Sequence, residues 1–332
     1  MHYTSKKSKT YDIMKVITIL LVVIAHTTRM YTKDGAIHPV NNSTILVLLT
    51  TYIYKFHMPL FIFISGSVYG YCISLGKYKN NILFIKNKLK RLIIPYIFLG
   101  SFYVAPIMEL LKLDNHGYLN YIWDGIILSY NSRHLWYVLA LFWIFIISMI
   151  LKSLLNKHNI ILIGISFILY ILSNRFPFIF QISSAMHYQL YFFIGILFNE
   201  YYDKIVSFIS KINYSLILLP VILLGIFKYN PNWITNLGYE FIGIFMIISL
   251  AIFCIKKLYF IIETYFYNVI DKNMFGIYLF HPMIIYVLFY FLGIYNINPI
   301  LLTLVISIVS IIVSVYATKL MRKIGLSIFI GE

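Results

Sequence analysis

Two side chains in the first apolar stretch have the types and the spacing for proton-transfer chemistry. Lys15 and His26 are eleven residues apart. On a helix they lie about 20° from each other on one face and roughly 16 Å apart along the axis. Asp12 sits one turn before Lys15 on the same stripe and can pair with it. Histidine, with an ordinary pKa near 6.5, can take the proton of a hydroxyl at neutral pH. His26 is therefore the candidate general base, oriented by the Asp12/Lys15 stripe or by a neighbouring helix. The plainer alternative is that Lys15 reaches back to the membrane surface and His26 closes a helix–helix hydrogen bond.

Further histidines recur beside residues that bend or anchor helices. His57 precedes Pro59, which must kink its helix near mid-membrane. Arg133-His134-Leu135-Trp136-Tyr137 opens another apolar run, and His187 starts the next short one. His281-Pro282 repeats the pairing of His57 with Pro59, about two turns into its run, which places it nearer the inner side. His57, His134 and Arg133 are the candidates to steady an oxyanion. Trp136, Tyr137, His187 and His281 are the candidates to hold an acceptor, although an outer Trp-Tyr pair with an arginine also suits an interfacial belt. The run Lys86-Asn87-Lys88-Leu89-Lys90-Arg91 is a strong topological signal and also suits a phosphate-bearing ligand. GxSxG, GxxxxGK[ST], CxxC and HExxH patterns are absent from the sequence, so no metal is expected. The missing Ser/Cys nucleophile motif favours direct transfer over an acyl-enzyme, with a covalent His or Tyr intermediate still open.

The elements that must position these groups are membrane helices. Of 332 residues, 61% are hydrophobic and 11% charged, against roughly 25% charged in soluble domains; the mean hydropathy is +0.84. Apolar runs of bilayer-crossing length fall at about 11–31, 44–74, 92–111, 134–152, 159–174, 185–199, 213–228, 235–256, 274–292 and 299–320. The reading is an all-α polytopic transmembrane helical bundle of about ten spans. The 185–199 run is the shortest, and the polar segment 114–130 is expected to lie along the outer surface. Basic residues crowd alternate loops, from Lys6, Lys7 and Lys9 through Lys77–Arg91 to Lys319–Lys323, while the intervening loops hold few. That asymmetry places both termini in the cytoplasm, and it accounts for the net charge of +16 without a nucleic-acid partner. The first run reads as a retained helix, not a cleaved signal. Cys72 and Cys254 fall near cytoplasmic helix ends and are expected as reduced thiols. Residues 1–332 read as a single integral membrane domain with no separate soluble domain.

The motifs Asp12-x-x-Lys15-x10-His26, Phe56-His57-Met58-Pro59-Leu60-Phe61 through Ser65-Gly66, Lys90-Arg91-Leu92-x-x-Pro95-Tyr96, His134-Leu135-Trp136-Tyr137, Phe192-Phe193-x-Gly195 and Tyr278-Leu279-x-His281-Pro282 together resemble the acyltransferase-3 family. The resemblance runs through nearly the whole chain, nearest to the fucose 4-O-acetylase-like branch of sugar O-acetylases. It implies transfer of an acyl group, acetyl above all, from cytoplasmic acyl-CoA to a sugar hydroxyl of a cell-surface polysaccharide or its lipid-linked precursor. It also implies a bacterial cytoplasmic membrane. Lys15 and His26 fall on the family's first-helix signature, with Lys where Arg is commoner, and Lys88, Lys90 and Arg91 fall on its CoA-binding stretch. The rival function is a glycan or lipid exporter, whose expected internal repeats with paired broken helices are not visible. A glycan polymerase has little room in such short outer loops. The acceptor sugar is left open, as is association into a homo-oligomer.

Overall fold

The computed structural model describes residues 6–113, 117–130, 132–151, 159–211, 232–258 and 264–332. Among these residues the chain is all-α, without a strand. Its principal helices are α1 (Lys6–Thr28), α2 (Thr44–Ser74), α3 (Asn81–Leu110), α4 (Trp136–Ile150), α5 (Asn159–Leu172), α6 (Ile182–Glu200), α7 (Tyr202–Lys211), α8 (Trp233–Lys257), α9 (Tyr265–Leu292) and α10 (Pro299–Lys323). Seven of them, α1–α3, α4 together with the Arg133–Leu135 turn that opens it, and α8–α10, are long and apolar enough to cross a membrane. The apolar α5 is shorter. The expected span at 213–228 lies outside the described residues.

The surface has the polarity that lipid selects. On α10, Leu304, Ile308 and Ile312 are about half exposed, whereas Ser307, Ser310 and Ser314 are buried. A helix in water would bury the aliphatic stripe and expose the serines. Here the hydroxyls turn inward, bonding Thr27 of α1 (3.1 Å from Ser307) or their own backbone, as a helix between lipid and a packed interior must. The chain is a multi-pass membrane protein.

Two helix starts differ from the sequence expectation, each because of a side-chain cap. The Asn80 amide accepts the Leu83 N–H (3.0 Å) and begins α3 at Asn81, so Lys86–Arg91 is helical and not a loop. Thr264 accepts the Tyr267 N–H (3.2 Å) and begins α9 at Tyr265. His281 is then sixteen residues, roughly 24 Å, along α9. That corrects its expected place near the inner side.

Helix ends gather on two faces. On one face, Lys7 Nζ donates to the Asn199 carbonyl (2.5 Å) and Thr10 bonds Tyr202 (2.6 Å). There, too, Arg322 donates to Asn273 (2.6 Å) and pairs with Glu332 (2.5 Å). Most described Lys and Arg residues lie at this basic face. At the far face, Asn41 bonds Asn296 and the Ile297 carbonyl (2.8 Å each), and Tyr31 donates to the Pro299 carbonyl (3.1 Å).

The bundle is centred on the crossing of α2 with α6, the most extensive helix pair. A Cβ on Gly66 would stand 2.0 Å from the Phe192 carbonyl oxygen, and one on Gly195 would stand 2.1 Å from that of Phe63. The two backbones touch, which only glycine permits and which membrane interfaces favour. Contact with other helices also explains why α6 carries buried Gln189 and Asn199, a composition no lipid-facing helix would tolerate. Gly195→Val is expected to force the helices apart and destabilise the bundle by at least about 1–3 kcal/mol, read as a lowered melting temperature in detergent.

Segment 117–130 does not lie along the outer surface as expected. It forms a helical stretch, Tyr118–Asn120 continued by Tyr121–Ile127, that folds back onto α3. There Tyr96 Oη donates to the Ile126 carbonyl (2.7 Å) and Tyr118 Oη to that of Ser101 (2.9 Å), with Ile126 packed over Gly100. These bonds satisfy the Ile126 carbonyl and the Tyr118 hydroxyl within the protein, which permits irregular backbone at membrane depth, while Asn120, Asp124 and Tyr130 stay exposed. The fold-back also delivers the chain to His134 well below the far face.

Candidate active site

Four of the predicted histidines converge. His26 comes from α1, His57 from α2, His134 from the turn Arg133–Leu135 that opens α4, and His281 from the middle of α9. The His26 and His281 rings are 5.1 Å apart, edge to face, and His281 and His134 are 6.3 Å apart. Tyr54 bridges the remaining gap, 6.1 Å from His26 and 4.8 Å from His57.

The backbone fixes what three of these rings can do. His57 Nδ1 lies 2.9 Å from the Ile53 carbonyl and His281 Nδ1 lies 2.7 Å from the Ile277 carbonyl. A carbonyl only accepts, so each neutral ring carries its proton on Nδ1 and turns a bare Nε2 lone pair away. His134 is reversed: Nε2 donates to the Leu279 carbonyl (3.1 Å) and Nδ1 is bare. His281 Nε2 and His134 Nδ1 are buried with no partner among the described residues. Neutral His57 and His134 thus have no N–H left for an oxyanion, contrary to the expectation for both. Arg133 does: its Nε is buried and unpartnered, while Nη2 donates to the Leu113 carbonyl (3.3 Å). Arg133 is held at φ +49°, in the left-handed region that non-glycine residues seldom occupy.

His26, His57, His134 and Arg133 line a cavity of about 580 Å³, together with Arg29, Lys33, Tyr54, Trp136, Gln181, Tyr188 and Tyr278. A second cavity of about 230 Å³ lies toward the basic face, lined by Lys15, Ser65, Lys88, Tyr137, Tyr278 and largely apolar neighbours. Tyr278 lines both cavities. Its hydroxyl donates to the His134 carbonyl, and its ring stands 5.5 Å from that of Tyr137 and 5.8 Å from His134. Tyr278 is thirteen residues along α9 from Tyr265, and Tyr137 thirteen before the end of α4. Both counts put the partition roughly 20 Å from the basic face.

Of the remaining predicted residues, some line a cavity and others do not. Lys15 pairs with Asp12 at 2.7 Å, as the spacing implies, but Lys15 lines the inner cavity and the pair does not touch His26. That task falls to α2 and α9 through Tyr54 and His281. Lys88 turns into the inner cavity with Nζ 3.3 Å from the Phe145 ring centroid, whereas Lys90 and Arg91 are exposed at the basic face. The short π-helical turn Leu89–Ile93 separates the inward lysine from the outward pair. Trp136 lines the outer cavity and Tyr137 the inner one, where it bonds Ser65 Oγ (3.2 Å). His187 lies outside both, stacked on Tyr170 at 4.4 Å and bonded to Ser173 (3.2 Å). One residue on, about 100° round the helix, Tyr188 takes the cavity position and packs on Trp136 at 5.3 Å.

Several functional candidates were missed in the sequence. Arg29 and Tyr54 follow from helical spacing, being three residues from His26 and His57 respectively. Gln181 has no such signal. Nor does Glu240, a buried carboxylate that accepts from Tyr170 (3.2 Å) and Tyr191 beside the Tyr188 wall.

Residues 9–319 match the family model of the acyltransferase-3 acyltransferase domain. The chain belongs to the acyltransferase-3 family. No curated protein and no solved structure matches it. The protein is a membrane acyltransferase, and its family-matched region takes in both cavities and all four histidines.

Proposed function

We propose that this acyltransferase moves an acetyl group from acetyl-CoA, at the basic face, to a hydroxyl of a sugar that enters from the far face. The observation that carries the reading is the pair of cavities meeting at Tyr278. One has lysines at its mouth and an apolar body; the other has histidines, arginines and aromatic rings. The positive charge at the basic face supports a cytoplasmic placement of that side. The acceptor is then an extracytoplasmic or lipid-linked sugar of a cell-surface polysaccharide in the bacterial cytoplasmic membrane, as in the sugar O-acetylase branch. Lys90 and Arg91 hold CoA phosphates at the surface, and Lys88 and Lys15 receive the arm that carries the thioester to Tyr278.

The chemistry is direct transfer. His26 takes the proton of the sugar hydroxyl as its oxygen attacks the thioester carbonyl. Arg133 steadies the oxyanion through its free Nε–H, and His281 and Tyr54 hold the His26 ring. The C–S bond breaks, and the proton on His26 passes to the departing CoA thiolate. The sugar hydroxyl becomes an ester, with no outside reductant or oxidant.

Burial separates the basic residues. Lys88→Gln is expected to raise the KM for acetyl-CoA about 10- to 100-fold, the loss of one charge-assisted contact of about 1.5–3 kcal/mol. Lys90→Gln and Arg91→Gln, whose side chains stand in water, are expected to do less and to lose their effect at high salt. Steady-state kinetics of the purified protein against acetyl-CoA decide it. Donor dependence unchanged in all three variants would remove the donor from this face.

A further inference from the structure

The far-face cavity is unbalanced in charge. Arg29, Lys33 and Arg133 line it against a single carboxylate, Asp34. Among the described residues no carboxylate lies within ion-pair distance (4.0 Å) of any of the three cations, the ion pairs being Asp12–Lys15 and Arg322–Glu332. Arg29 and Arg133 are half-buried and Lys33 is exposed beside them; cations drawn even partly from bulk water are unfavourable unless something anionic meets them. Arg29 is also held in place. Arg29 opens a short turn, Arg29–Tyr31, closed by the Thr32 N–H (2.9 Å) and Thr32 Oγ1 (2.8 Å) on the Arg29 carbonyl. Gly35 packs so closely on this turn that a Cβ there would stand 2.9 Å from the Arg29 and Met30 carbonyl oxygens. The Arg29 guanidinium lies over Tyr54, 5.4 Å from the ring centroid. The same cavity carries the Trp136–Tyr188 pair, an aromatic wall of the kind on which an apolar sugar face packs.

We propose that the acceptor is an anionic sugar, whose carboxylate or phosphate sits at Arg29 and Lys33 while its ring lies toward Trp136 and Tyr188. The proposal rests on the acetyl-transfer reading above and narrows its acceptor. A uronic-acid glycan and a lipid diphosphate-linked sugar share the required chemistry. A neutral glycan lacks it.

The test is acetyl transfer from labelled acetyl-CoA by the purified full-length protein to three acceptors: a neutral oligosaccharide, a uronate-containing oligosaccharide and a polyprenyl-diphosphate-linked sugar. One or both anionic acceptors should be preferred, and the one preferred identifies the source of the charge. Arg29→Gln combined with Lys33→Gln should raise the KM for that acceptor about 10- to 100-fold and leave the KM for acetyl-CoA unchanged. Arg29→Lys, which keeps the charge, should restore part of the preference and guards against a merely misfolded variant. Equal use of neutral and anionic acceptors, or a double variant that keeps the preference, overturns the proposal while acetyl transfer stands. Transfer to none of the three overturns the transfer reading and this proposal with it.

Discussion

His26→Ala is expected to lower acetyl transfer about 10²- to 10⁴-fold, the usual worth of a positioned general base, with the protein still present at normal level in the membrane. His26→Gln is expected to do the same, because an amide can hydrogen-bond but cannot take the proton. The proposed role for His26 rests on its position. It is the histidine from α1 that lines the outer cavity, its ring held edge-on by His281 at 5.1 Å. Rates of acetyl transfer by purified variants check the expectation. If His26→Gln retained most of its activity, hydrogen bonding alone was needed there. The base would then lie among the bare lone pairs of His57, His134 and His281.

Tyr278→Ala is expected to uncouple the two halves of the reaction. The Tyr278 ring lines both cavities, and in the proposed reaction it stands between the thioester of the donor and the space for the sugar. Removing it joins the two spaces. Excluding water is what protects a reactive acyl donor from hydrolysis. Tyr278→Ala should therefore hydrolyse acetyl-CoA without acceptor, faster than the wild type by at least about tenfold, equivalent to 1.4 kcal/mol of barrier. Longer acyl-CoAs should also become substrates. Tyr278→Phe keeps the ring and loses only the hydroxyl bonded to the His134 carbonyl, so it should remain tight to water. Thiol release from acetyl-CoA, measured with and without sugar, separates the variants. An alanine variant as tight as the wild type would place the partition elsewhere.

How far the site was legible depended on whether a contact is local. The Asp12–Lys15 pair is a matter of helix pitch and was visible in the spacing. So were the His57-x-Pro59 and His281-Pro282 motifs, although only the structure shows that each ring bonds the carbonyl one turn back. His281 was misplaced because an apolar window cannot see that the Thr264 cap starts α9 well before the apolar run. The Asn80 cap is invisible to hydropathy in the same way, so the charged run Lys86–Arg91 looks like a loop in the sequence although it is helical. The fold-back of 117–130 was illegible for another reason. Its polar residues look like surface until Tyr96 and Tyr118 supply bonds at membrane depth. Likewise α6 looked marginal because hydropathy supposes contact with lipid, whereas Gly66 and Gly195 let α2 cover it. His187 was wrong by one residue: the helical register, set by packing on Tyr170, gives Tyr188 to the cavity.

We propose that an acetyl group passes directly from a donor on the basic face to a sugar on the far face, with His26 as the base. Mass analysis of the cell-surface glycan tests it most directly, comparing cells that carry the wild-type gene, the His26→Gln gene or no gene. Acetylated sugar is expected only with the wild type, and the same amount of unacetylated glycan in the other two. A glycan acetylated equally in all three would contradict it. So would glycan lost from the surface without any change in the acetylation of what remains, the result that an exporter would give.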